Sequence, residues 1–128
     1  MTNEQIPKKK YDLEERTAKF GEGIIKFAQK IPKDSVNFPL INQLVKAGTS
    51  VGANYCEADD AESGQDFKHK IGICKKEARE TKHWLRMIAV ANPALKNEAR
   101  NFWQKAKELH LIFNSINKSL ERKRKMVI

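Results

Sequence analysis

The side chains best suited to chemistry in this 128-residue chain are three histidines and two cysteines. Glu80 and His83 stand three apart, the Glu-x-x-His spacing with which helical bundles hold a di-iron centre. A full centre takes two such pairs and two further inward glutamates, and the chain carries one pair. His83 is also predicted to lie opposite the apolar face of its helix, toward solvent. His69 and His110 have no partner at ligand spacing. Cys56 and Cys74 are separated by 18 positions without a Cys-x-x-Cys, so the patterns for zinc binding and disulfide exchange are missing. Nothing close in sequence supplies a base to activate Cys56. Neither a Gly-x-x-x-x-Gly-Lys phosphate loop nor a Gly-x-Ser-x-Gly turn occurs. The expectation is a non-enzymatic protein with no catalytic residue, no metal and no cofactor.

The cations are more informative. Lys68, Lys75, Arg79, Lys82 and Arg86 follow at steps of 7, 4, 3 and 4, one stripe of a helix. Lys96, Arg100 and Lys107 hold the corresponding flank of the next helical segment. Formal charge is +9 overall, divided as +2 over 1–35, −3 over 36–64, +4 over 65–92 and +6 over 93–128. A stripe of this kind neutralises phosphates and binds with an affinity that falls as salt rises; it reads equally as an ordinary solvated helix face. No zinc-finger, aromatic-sheet or glycine-clamp motif accompanies it, so RNA or DNA would be held by its backbone with little reading of bases. The opposite flank reads Ile73, Glu77, Glu80, Trp84 and Met87, and the next segment adds Trp103, Leu111 and Ile112 outside its main seam. These residues either widen the core or form a subunit interface, where Trp and Met are enriched. Ile73, Trp84, Met87, Trp103 and Leu111 are the interface candidates.

The elements that must carry these residues follow from periodicity. At 40% hydrophobic and 32% charged, the chain reads as one soluble domain with a heavily charged surface. Six Gly and four Pro are too few for a loop-rich β domain. No apolar run is long enough to span a membrane. The N-terminus has lysines but no apolar stretch behind them, which predicts a cytoplasmic protein with both thiols reduced. Leu13, Thr17, Phe20, Ile24, Phe27 and Ile31 predict a first helix, opened by Asp12 and Glu15 at capping-box spacing and closed by Pro32. Ile41, Leu44, Gly48, Val51, Tyr55 and Ala58 predict a second, from Val36 or Pro39 to Asp60, with small residues at its centre for close packing. Ser63 and Asp66 open a third, with Phe67, Ile71, Cys74, Ala78, Thr81, Leu85 and Ile88 as its seam. Asn92 and Pro93 read as N-cap and first residue of a fourth, which carries Leu95, Ala99, Phe102, Ala106, Leu109, Phe113, Ile116 and Leu120. Short connections predict antiparallel neighbours, so the fold class is an all-α, up-down-up-down four-helix bundle over residues 12–120. A flexible segment over 1–11 and a basic tail over 121–128 flank it.

Three stretches then carry a family resemblance. They are Thr49-Ser50-Val51-Gly52-Ala53-Asn54-Tyr55-Cys56-Glu57-Ala58, Asp66-Phe67-Lys68-His69-Lys70-Ile71, and Lys76-Glu77-Ala78-Arg79-Glu80-Thr81-Lys82-His83-Trp84-Leu85. With Glu15-Arg16-Thr17 they resemble, from about Asp12 to Leu120, the bacterial four-helix bundle family encoded in intervening sequences of large-subunit ribosomal RNA genes. The resemblance implies a cytoplasmic bundle without catalytic residues. A related branch, the accessory variability proteins of diversity-generating retroelements, implies a homopentameric ring, RNA or DNA as ligand, and a polymerase-like protein partner. By the same resemblance, the small residues with Asn54 and Glu57 look like a packing and inter-subunit signature. Two functions result: a homo-oligomeric RNA/DNA-binding protein, or an adaptor for a polymerase-like or ribosomal partner.

Overall fold

The computed structural model describes residues 12–127, and within that range the regular structure is four α-helices and one 3-10 turn, with no strand. The segment predicted for 1–11 and the final residue lie outside the described residues. Helix α1 (Leu13–Lys30) starts where Asp12 Oδ1 accepts the Glu15 N–H at 3.2 Å. Leu13, Thr17, Phe20, Ile24 and Phe27 are buried along one face, and Ile31 is buried just beyond the last turn. The Thr17 hydroxyl is tolerated inside because it donates to the Leu13 carbonyl at 2.6 Å.

Helix α2 (Asn37–Asp59) starts between Val36 and Pro39, the two positions that the sequence left open, with Val36 as its N-cap. Asp34 Oδ1 accepts the N–H of both Val36 and Asn37, at 3.1 and 2.8 Å, and so serves the exposed donors of the first turn. Its small centre has the packing role expected of it. A Cβ on Gly48 would stand 2.9 Å from Ile24 Cγ2, and Gly21 of α1 faces the Thr49 backbone. Helix α3 (Gly64–Ala91) opens on Ser63, whose Oγ accepts the Asp66 N–H at 3.0 Å. Ile71, Cys74, Ala78, Thr81, Leu85 and Ile88 are buried as the seam requires, with Phe67 half-buried.

At the α3–α4 corner Asn92 and Pro93 are N-cap and first residue as the sequence places them, but of a short turn ahead of the fourth helix. Pro93–Leu95 form a 3-10 turn, and Asn92 makes no side-chain cap there. Instead Asn92 and Asn37 exchange amide hydrogen bonds, Nδ2 to Oδ1 in each direction at 2.9 Å, with both residues buried. Asn92 Nδ2 also donates to the Ile88 carbonyl, and Asn37 Nδ2 to that of Pro32. A tertiary partner has outcompeted the local cap, because a buried amide must satisfy both its donor and its acceptor. Helix α4 (Lys96–Val127) runs past Leu120, where the sequence had placed the end of the bundle.

Consecutive helices pack extensively, while α1 touches α4 least. The α1–α4 contact is made by larger groups. The Phe102 ring sits where a Cβ on Gly23 would be, at 2.8 Å, and lies 5.4 Å from the Phe27 ring. Arg16–Glu108 and Lys30–Glu98, each 2.8 Å, tie the same two helices. Such exposed pairs contribute about 0–1 kcal/mol each; the shared apolar cluster does most of the holding.

Candidate nucleic-acid interface

The seam of α3 fixes where its cations point. With Thr81, Leu85 and Ile88 buried, Lys75, Arg79, Lys82 and Arg86 fall on the flank beside α4. The α4 seam through Ala99, Ala106 and Leu109 turns Lys96, Arg100 and Lys107 outward. The two sets meet at two places. At one, Lys82 Nζ stands 5.3 Å from the Trp103 ring centre and Lys107 Nζ 5.8 Å, so one indole carries a cation from each helix. This cation–π placement holds charge at the surface without a carboxylate, worth about 0.5–1 kcal/mol at an exposed position. At the other, Arg86, Lys96 and Arg100 ring a cleft between α3 and α4 whose apolar lining includes Leu85, Ala89, Val90, Ala99 and Trp103.

His110 of α4 reports on the same field. Burial lowers its pKa below the usual histidine value, and Lys82, Lys75 and Arg79 lower it further. The His110 imidazole therefore lies among cations of the stripe, which disfavour its protonation. The sequence shows only that His110 has no partner at ligand spacing; the pairing of α3 with α4 makes it part of this face.

Lys68 is set apart from the other cations. Its ammonium is 3.0 Å from Glu121, and this hydrogen bond holds the Glu121 carboxyl below the ordinary carboxylate range. Lys75, Arg79, Lys82, Arg86, Lys96, Arg100 and Lys107 have no carboxylate within ion-pair distance among the described residues. By contrast, Lys70 is paired with Glu57 of α2, which raises the Lys70 pKa.

The interface candidates do not form one patch. Trp103 lies within the basic face, beneath Lys82 and Lys107. Ile73, Trp84 and Met87 are half-buried on the other flank of α3, where Glu77 lies within the influence of Lys46 of α2. Burial raises the Glu77 pKa above the ordinary carboxylate range. Trp84 packs on the core and meets His83 edge-on at 4.8 Å, and its buried Nε1 has no acceptor among the described residues. Leu111 is 54% exposed on α4. Asn54 donates to the Ser50 carbonyl of its own helix.

Among the described residues no three His, Cys, Asp or Glu side chains converge on a metal position. Glu80 and His83 are both exposed. Cys74 is buried on the α3 seam with its pKa pushed up to about 12, mainly by burial, while Cys56 is exposed. No described helix is long and apolar enough to cross a membrane.

The comparisons with known proteins agree with the bundle. A family model described as 23S rRNA-intervening sequence protein matches residues 9–115. A crystal structure from Bacteroides thetaiotaomicron VPI-5482, described as a protein with unknown function from the S23 ribosomal protein family, is 28% identical with a TM-score of 0.75. The match covers 82% of this chain and 97% of that one. No curated protein matches the chain.

Proposed function

This chain belongs to the 23S rRNA-intervening sequence protein family, and we propose that it is a cytoplasmic, non-enzymatic protein that binds RNA or DNA as a homo-oligomer, through phosphate contacts on the α3/α4 face. The observation that carries this reading is the set of seven cations on that face without a carboxylate partner among the described residues. Solvated helix faces commonly mix charges of both signs, as the flank with Lys76, Glu77 and Glu80 does here. Uncompensated cations drawn from two helices and seated over an indole favour a polyanion. The bundle is read as antiparallel, up-down-up-down. Asn37 at the start of α2 meets Asn92 at the end of α3, and Lys68 early in α3 meets Glu121 late in α4. A pentamer is the assembly proposed, with Ile73, Trp84, Met87 and Leu111 as contact residues and Trp103 at the junction with the basic face. Light scattering of the purified protein tests the subunit number, and a monomer at micromolar concentration would refute it.

The test of the ligand is binding to structured RNA and duplex DNA at low salt. Lys75→Glu, Arg79→Glu and Lys82→Glu together should abolish binding while the helical circular dichroism stays intact; unchanged binding removes the face from the account. The adaptor reading rests on the half-buried Trp84 and Met87, away from the cations. A polymerase-like or ribosomal protein retained after nuclease treatment of a native lysate would favour it.

A further inference from the structure

We infer that the end of this face nearest Pro93 takes an unpaired nucleotide, with its base in the cleft between α3 and α4 and its phosphate on Arg86, Lys96 and Arg100. The inference rests on the nucleic-acid reading of the face and narrows it to a class of ligand. The cleft is open to solvent and offers about 630 Å³, within the range of small-molecule sites. Its walls are apolar, from Ala89, Val90, Ala99 and Trp103, and its rim holds the three cations. Val90 is 75% exposed, an apolar branched side chain left in water beside positive charge.

Each half of this arrangement lacks a purpose alone. Phosphates running along a surface need no apolar wall beside them. An apolar guest gains nothing from three cations without counter-charges. A nucleotide presents both chemistries a few ångströms apart, a planar base and an anionic phosphate. Lysines from both helices lie over the ring of Trp103, which also borders the cleft, so the apolar surface left open next to the cations is that of Ala89, Val90 and Ala99. Gln104 on the same wall offers both a donor and an acceptor to a base edge. Bases in a duplex are stacked away inside and reach such a cleft only by flipping out. The face therefore discriminates unpaired from paired strands at this end.

The experiment uses the full chain at low salt and three fluorescent ligands of equal length: an oligoadenylate, the same backbone without bases, and a duplex. The oligoadenylate is expected to bind about tenfold tighter than the abasic strand, the effect of taking roughly 50 Å² of apolar base surface out of water. Val90→Asn should bring that ratio close to one while leaving abasic binding unchanged; its exposure keeps the fold out of the comparison. Arg100→Gln should weaken both strands alike. Competition with excess adenosine monophosphate separates two sources of the same chemistry. Displacement shows that a free nucleotide enters, and resistance shows that flanking phosphates of a strand are needed; either outcome accompanies a base-dependent ratio. Equal binding of the oligoadenylate, the abasic strand and the duplex overturns the nucleotide cleft and leaves the phosphate-binding face standing. Failure of all three to bind overturns both.

Discussion

Replacing Asn92 by Asp tests whether the buried amide pair holds the α3–α4 corner. In the native chain Asn92 Nδ2 donates to Asn37 Oδ1 at 2.9 Å and to the Ile88 carbonyl at 3.0 Å, while Asn92 Oδ1 accepts from Asn37 Nδ2. Asn37 is 2% exposed and Asn92 9%, so water cannot replace a lost partner. Asn92→Asp keeps the accepting oxygen and removes both donations. Asn37 Oδ1 then loses its donor and faces a carboxylate, while the Ile88 carbonyl keeps the Asn92 backbone N–H at 2.9 Å. At roughly 1–3 kcal/mol for one unsatisfied buried acceptor, with the buried charge adding to it, the loss comes to about 3 kcal/mol near neutral pH. For a chain of this length that lowers the melting temperature by roughly 10 °C. Asn92→Ala loses the same donations without introducing charge and should cost about 2 kcal/mol at every pH. The carboxyl of the Asp variant is held in an apolar, acceptor-rich place, so its folded pKa lies above its unfolded value. Its extra penalty is therefore full above the folded pKa and disappears as pH falls below the unfolded value of about 3.9. Urea titrations of both variants from neutral to acid pH measure the gap. A gap that stays constant with pH, or an Asn92→Asp chain as stable as the parent, would refute the reasoning.

Gly48→Ala adds a Cβ 2.9 Å from Ile24, which is fully buried; overpacking outweighs the helix-propensity gain of about 1 kcal/mol. Urea denaturation should show a net loss of about 1 kcal/mol, whereas Gly64→Ala, with open space around its Cβ, should show none. A thiol reagent at mildly alkaline pH should label Cys56 alone in the native protein and both cysteines after denaturation, because Cys74 is buried with its pKa pushed up to about 12; native labelling of two thiols contradicts this. The His110 imidazole should titrate below 6.5 by NMR and move upward in Lys82→Gln. Since its folded pKa is lowered, its share of stability is present above the unfolded value and is lost as pH falls through the interval between the two. A midpoint at or above 6.5 would place His110 outside the field of Lys82, Lys75 and Arg79.

The bundle was legible in the sequence because its seams are regular. Ile71, Cys74, Ala78, Thr81, Leu85 and Ile88 are buried at the positions that a single α3 stripe dictates. The caps at Asp12 and Ser63 were also legible, since their partners lie three residues away. Asn92 and Pro93 were legible as cap and first position of the next turn, but the side-chain partner of Asn92 was not, for the converse reason. Its partner Asn37 is 55 residues distant, and no local signal competes with a good Asn-Pro cap pattern. The start of α2 was blurred because Asp34 serves the first-turn donors from outside the apolar repeat. The basic stripe was visible as spacing, and the shared heptad phase placed the flank of α4 beside it. What spacing could not supply was pairing: Lys68 is neutralised by Glu121, 53 positions away, while its neighbours in the stripe are not. Nor could spacing show that Trp103 belongs beneath Lys82 and Lys107, or that His110 shares their field.

The salt dependence of binding tests the phosphate-binding face most directly. With the seven unpaired cations each neutralising one phosphate, the logarithm of the duplex association constant should fall against the logarithm of salt with a slope of about −6 per protomer. Lys75→Gln, Arg79→Gln and Lys82→Gln together should make that slope shallower by about 3. A slope near zero, or one that the triple substitution leaves unchanged, would contradict the assignment of this face to nucleic acid.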